Sequence, residues 1–253
     1  MPEYREMPKV SKSEINRCGD YLARLHRLRA LDDSTGYDEA YDADQMAYAT
    51  QLVDDFRAAH QKPLSITSVG LRQFVNTTLG TTPVVSQRLK RLPRIVRKLA
   101  NMGSSNLARL EDIGGTRAVV PGLREQEALC AHIERRWGHS IRRTRDYVDD
   151  PKATGYRARH YVIEKEGRRV EIQVRTRRQQ VWANRIEQTD SRLGTSLKDG
   201  KGAQSLLEYF TAMGAMLYFQ ETNTTPTPEL AQQLQAAENA VVSEGFFVRR
   251  GES

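Results

Sequence analysis

Residues 168–175, RRVEIQVR, alternate without a break: Val170, Ile172 and Val174 fall on one side, Glu171, Gln173 and Arg175 on the other. A period of two belongs to a β-strand with one buried face. The second face carries a carboxylate, an amide and a guanidinium, so it has to meet solvent or a ligand. Outward from this strand, β-branched runs near 83–90, 115–120, 140–148 and 157–165 alternate with helical patterns near 92–102 and 123–137. That is an α/β (α+β) core with a mixed sheet of about five strands flanked by helices. Upstream, from about 12 to 80, apolar residues recur at helical spacing, with Pro63 and Gly70 as breakers. Downstream come a helix near 177–192, a glycine-containing break over 194–202, an apolar helix near 203–221 and a last helix near 228–243. The chain divides into an N-terminal helical region (1–82), the mixed core (83–192) and a C-terminal helical extension (193–253).

Composition bounds the class. The chain has 253 residues, 38% hydrophobic and 28% charged, enough apolar material for a real core. No stretch approaches the roughly 18 apolar residues of a membrane span, and the N-terminus lacks a signal-peptide core, so a cytoplasmic protein with no membrane partner is expected. Cys18 and Cys130 stand far apart with no histidine at ligand spacing, which gives neither a zinc site nor a disulfide framework. A net charge of +7 points to an anionic partner. The basic residues crowd at 88–98, 135–145 and 168–178.

Chemistry has to be sought without the common fingerprints, because no P-loop, GxGxxG, HExxH or GxSxG is present. The best constellation is Asp112 at the mouth of a strand, Glu171 on the polar strand face, and the surrounding arginines and lysines. Two carboxylates suit Mg²⁺, which takes one or two of them together with substrate phosphates. Each acid by itself also reads as a surface salt bridge.

Four strings occur in order: RLKRLPRIVRKL, DIGGTR, DYVDDPKATGYRARH and VEIQVRT. Together they resemble the RelA/SpoT synthetase domain over roughly residues 83–190. The resemblance implies a nucleotidyltransferase-like fold and an ATP-dependent pyrophosphokinase. Asp112 and Glu171 match the magnesium carboxylates, with Glu171 also the base that takes the proton of the attacking hydroxyl. Arg88 and Arg117 match the arginines that sandwich adenine, a role guanidinium planes serve well. Lys90 and Lys98 match phosphate-binding lysines. Tyr156 matches the aromatic residue under the acceptor base, with His160 on the same strand face. Gln173 and Arg175 either orient the metal ligand or phosphate, or are structural.

The sequence departs from the family around the acceptor. Ala158 stands where GYxSxH strings carry serine, Arg94 replaces the serine of an SI pair, and Gln180 stands where asparagine or histidine is common. There is no His-Asp dipeptide of the accompanying hydrolase, and the chain is similar in size to the small, stand-alone members. The GYRA string resembles the toxic ones, some of which act on the 3′ CCA end of tRNA and are restrained by an antitoxin. Arg142, Arg143, Arg145, Arg177 and Arg178 exceed what one nucleotide needs and could track an RNA backbone. The leading expectation is therefore pyrophosphate transfer to tRNA by a translation-inhibiting toxin. GTP or GDP as acceptor, giving alarmone, is the alternative, and a silent RNA-binding module is the second. The outer helices could hold an antitoxin or build a homo-oligomer.

Overall fold

The alternating stretch forms β5 (Arg168–Thr176), the middle strand of a sheet ordered β1-β2-β5-β4-β3. The computed structural model describes residues 9–247 apart from 81, 83 and 103–105. β5 runs parallel to β2 (Gly114–Val120) and antiparallel to β4 (Arg159–Lys165). The edges are β1 (Val84–Leu89), on β2, and β3 (Ile141–Asp146), on β4, both antiparallel. The strand expected near 83–90 thus opens at Val84, with Pro83 outside the described residues. A parallel pair needs a long crossover. Here α6 (Leu123–Trp137) and the β3–β4 pair lie between β2 and β5 in sequence.

The apolar face of β5 dictates what covers the sheet. Val170, Ile172 and Val174 are fully buried in one core with Leu64, Leu71, Phe74 and Val75 of α4 (Gln61–Leu79) and Leu129 and Ile133 of α6. Burying a side chain of this size contributes about 1.5–3 kcal/mol. A second core joins α1 (Lys12–Ala30), α3 (Ala43–Ala58) and α5 (Leu92–Asn101) through Leu22, Leu52, Phe56, Ile95 and Leu99. A third lies under α7 (Arg177–Leu193), α8 (Gln204–Thr222) and α9 (Pro228–Ser243), with Trp182, Phe210 and Val241 at its centre. Packing therefore crosses the sequence boundary at 82/83, since α4 completes the core of the sheet. Among the described residues no helix is long and apolar enough to cross a membrane.

Two expected breakers do not break. Pro63 and Gly70 both lie inside α4. Pro63 sits in the first turn, where a missing N–H costs nothing because that donor has no intrahelical acceptor. Gly70 is there for space: a Cβ at this position would lie 2.6 Å from Cζ2 of Trp137. Replacing Gly70 with alanine should destabilise the protein by about 1–3 kcal/mol in urea unfolding, although alanine is the better helix former. A neutral or stabilising result would mean that Trp137 yields freely.

His60 precedes α4 and is buried, its Nδ1 2.8 Å from the Phe56 carbonyl and its ring edge-on to Phe56. Nδ1 must carry the proton to donate there. Burial lowers its pKa from 6.5 to about 4, with Arg168 acting in the same direction against the Phe56 hydrogen bond. Between those values the unfolded chain binds more protons than the folded one, so this contribution to stability is present above pH 6.5 and is lost as pH falls through the window. The full difference is about 3 kcal/mol. Unfolding free energies measured from pH 7 to 4 should fall less steeply in His60→Gln than in the wild type; parallel curves would show that His60 titrates normally.

Candidate active site

The polar face of β5 becomes a site because its neighbours supply side chains in register. Gly115 of β2 lies between Arg88 of β1 and Glu171 of β5, and Arg117 lies between Ser86 and Gln173. On the far side, His160 pairs with Gln173 and with Arg145. Directly opposed residues share a face. Arg88, Arg117, Glu171, Gln173, His160 and Arg145 therefore stand together because of strand pairing alone.

Asp112 enters just before β2, and its Oδ2 accepts from Lys90 Nζ at 2.5 Å and Lys98 Nζ at 2.7 Å. Burial opposes its charge, but the two ammonium groups outweigh burial and hold the carboxyl below the usual range. Its Oδ1 is buried without a hydrogen-bond partner. A buried carboxylate oxygen left open beside two cations fits a site that receives a cation and phosphates. Asp112 and Glu171 line one pocket of about 280 Å³ with Arg88, Lys90, Arg117 and Arg175. Among the described residues no group of three or more histidine, cysteine or acidic side chains gathers anywhere for a metal. The carboxylate pair with open coordination toward phosphate matches Mg²⁺ rather than zinc.

Glu171 is held by a closed ring of hydrogen bonds. Its Oε1 lies 3.0 Å from His160 Nδ1, and its Oε2 accepts from Gln173 Nε2 at 2.8 Å. Gln173 Oε1 accepts from Arg175 at 2.8 Å, Arg175 also donates to the Tyr156 hydroxyl at 2.9 Å, and that hydroxyl lies 2.6 Å from His160 Nε2. Arginine only donates, so Tyr156 must pass its one proton to Nε2, which places the histidine proton on Nδ1, facing the carboxylate. Burial pushes the Glu171 carboxyl up, and the donors His160 and Gln173 more than offset it, so the group is lowered overall.

The ring changes the reading of the expected acceptor residues. Tyr156 is 6% exposed, edge-on to Tyr147 and tilted against Trp182, with Lys152 above its ring. Gly155 explains how it reaches that place. Its φ is +84°, and a Cβ there would meet the Phe210 carbonyl of α8 at 2.8 Å, so only glycine lets this loop lie against the helix. Arg175, expected on an open face, is 3% exposed and further tied to Gln180 at 3.2 Å. Ala158 is fully enclosed in the core beneath α7 and α8, where a serine hydroxyl would need a buried partner. Arg94 is exposed on α5.

Arg142 pairs with Glu164 at 3.0 Å, and Arg143 and Arg145 share Glu111 at 3.3 and 2.9 Å. Only Arg177 and Arg178 of that group stand exposed without an ion pair among the described residues, in the first turn of α7. The sequence reading missed Glu187 and Lys198, which are ion-paired with each other and line the pocket opposite Arg117 and Arg175. They come from a helix and a loop whose composition carries no signal. It also missed Tyr147, whose ring packs on Tyr156 and His160; the DY pair of DYVDDPK was its visible trace.

Replacing Tyr156 with phenylalanine should cost about 1–3 kcal/mol of stability, because Arg175 and His160 Nε2 both lose their shared partner in a buried place. A urea-unfolding change within about 0.5 kcal/mol would mean that the ring contributes nothing.

Comparison with known proteins agrees with this arrangement. Residues 87–190 match the model of the region found in RelA / SpoT proteins. Uncharacterized proteins of Mycobacterium tuberculosis and Mycobacterium bovis are 35% identical over 105 residues, 41% of this chain and 38% of theirs. The chain thus spans well under half the length of those relatives. The fold is similar to small alarmone synthetase 2 from Bacillus subtilis, with a TM-score of 0.56 at 20% identity, covering 67% of this chain and 94% of that one. Small alarmone synthetase 1 from Bacillus subtilis, bound to its product pppGpp, gives 0.56 at 18% identity, covering 67% and 93%. The match over residues 87–190 holds Arg88, Asp112, Arg117 and Glu171 of the pocket, so this part of the chain is similar to the region found in RelA / SpoT proteins and is carried on a sheet with the fold of the small alarmone synthetases.

Proposed function

We propose that the protein moves pyrophosphate from ATP to the 3′-hydroxyl of a guanosine nucleotide, releasing AMP. The observation that carries the transfer reading is the placement of Asp112 and Glu171 in one pocket with Arg88, Arg117 and Lys90. Arg88 and Arg117, diagonal neighbours on one sheet face, are spaced to hold adenine between their guanidinium planes. Lys90 and Lys98 swing from Asp112 to the phosphates. Asp112 and Glu171 would hold Mg²⁺, which neutralises charge on the transferring group. Glu171, kept ionised by its ring, takes the hydroxyl proton as the acceptor oxygen bonds to the β-phosphorus and the α,β-bridging bond breaks toward AMP.

Two features that favoured tRNA have structural explanations. Arg142, Arg143 and Arg145 are engaged by Glu164 and Glu111, and Ala158 faces a core. The acceptor proposed is of the class carried by pppGpp, the product bound to a protein of the same fold. Lys152 lies over the Tyr147 and Tyr156 rings next to the ring of hydrogen bonds around Glu171, a position suited to a nucleotide's own phosphates. Transfer to the tRNA 3′ end, as in a toxin held by an antitoxin, is the second reading, favoured by exposed Arg177 and Arg178.

Incubation with Mg²⁺ and ATP labelled on the γ-phosphate, offering GDP, GTP or tRNA separately, should label the guanosine nucleotides. Glu171→Gln should lower kcat by at least about 100-fold while ATP still binds. Label on tRNA alone would reverse the two readings. No label on any acceptor would leave a binding module, and undiminished turnover in Glu171→Gln would remove Glu171 as the base.

A further inference from the structure

The transfer pocket has two ends. Asp112, Lys90 and Glu171 gather where β2 begins at Gly114, and Arg117 stands three residues further along that strand, about 10 Å away. Two charged groups that the transfer step does not use also line the pocket: Glu187 of α7, and Lys198 in the short helical turn Leu197–Asp199 that follows it. They belong to the Arg117 end, since Arg117 and Arg175 act on the charge of Glu187, and Arg175 on that of Lys198.

The turn that carries Lys198 is firmly held. Leu197 is fully buried in the core beneath α7 and α8, and the Asp190 carboxylate accepts from the Leu197 N–H at 2.6 Å and from the Thr195 hydroxyl at 2.8 Å. The Lys198 ammonium in turn donates to Oε1 of Glu187. Burial pushes Glu187 up, but Lys198, Arg175 and Arg117 outweigh it and keep the carboxylate below its ordinary range. The pair occupies one carboxylate oxygen and one of three ammonium hydrogens, which leaves Oε2 of Glu187 to accept and two N–H groups to donate.

An acceptor and a donor fixed side by side fit one purine edge and oppose the other. Adenine presents a donating N6 amine next to a ring nitrogen that accepts, whereas guanine presents O6, an acceptor, next to an N1–H donor. With the base between Arg88 and Arg117 and the phosphates toward Asp112, the base edge faces the end that Glu187 and Lys198 line. We propose that these two residues select the donor base: the Glu187 carboxylate accepts from the N6 amine of adenine, and the Lys198 ammonium donates to the adjacent ring nitrogen. Guanine in the same place would set O6 against the carboxylate. A donor and an acceptor that are both purine nucleotides are thereby kept apart. The assignment rests on the transfer reading, in which ATP occupies this pocket.

The test compares how ATP and purine riboside triphosphate, which lacks only the N6 amine, displace radiolabelled α,β-methylene-ATP from the full chain with Mg²⁺ present. The wild type should bind ATP about tenfold or more tightly than the analogue. In Glu187→Ala the two should come within about twofold of one another, and Glu187→Gln, which keeps an acceptor oxygen without the charge, should restore part of the preference. A role in folding or in overall charge alone would move both ligands together and leave their ratio unchanged. Equal binding in the wild type, or a preference that survives intact in Glu187→Ala, would overturn the base assignment and leave the transfer reading standing. A wild type that binds no ATP would remove that reading and this assignment with it.

Discussion

The guanidinium of Arg175 is buried at the end of β5 and can only donate hydrogen bonds. Left without acceptors it would cost several kcal/mol, so the surrounding structure has to satisfy it. Tyr156, Gln173 and Gln180 accept from its two terminal nitrogens, Nε being left without a partner, and the direction of every hydrogen bond around Glu171 follows. The tyrosine proton is pushed toward His160, and the histidine proton toward the carboxylate. A single buried charge thus sets the protonation pattern of the site. The neighbouring fold serves the same end, since the capping box of Thr176 and Gln179 starts α7 directly after Arg175 and lets the helix close over it.

The donor and acceptor halves of the site are organised differently. Around Asp112 two lysines share one oxygen, and the second oxygen has no hydrogen-bond partner. Such an arrangement stores charge that phosphates and a cation redistribute. Around Glu171 every group is bonded on both sides, and the aromatic rings of Tyr147, Tyr156 and Trp182 pack the ring from behind. In the proposed reaction this makes Glu171 a firmly held base and the two lysines the phosphate clamp, which suits a chemistry in which positioning and charge neutralisation carry most of the rate.

Much of this was legible in the chain. The period of two over 168–175 placed β5, and the order of short β-branched runs gave the five strands. Asp112 and Glu171 could be singled out from their places at a strand mouth and on a polar strand face, while Arg88 and Arg117 were picked out by the resemblance of their strings to the RelA/SpoT synthetase domain. The breakers Pro63 and Gly70 misled because local propensity is blind to position in a helix and to the Trp137 ring packed against it. Tyr156 looked like an open platform for a base, and Ala158 like a missing acceptor contact. Both are core residues, because Gly155 brings their loop against α8.

The sequence by itself determined the strand pattern, the carboxylate pair and the excess of basic residues, since these are local or compositional facts. Tertiary structure alone decided what those charges do. Glu111 and Glu164, distant in sequence from some of their partners, pair with Arg143, Arg145 and Arg142, and Glu111 also lies 3.8 Å from Arg169. Electrostatic pairing falls off with distance through space and takes no account of separation along the chain. The same arginines therefore read as one basic excess in one dimension, and in three as ion-paired side chains on β3 beside an exposed Arg177 and Arg178 at the start of α7.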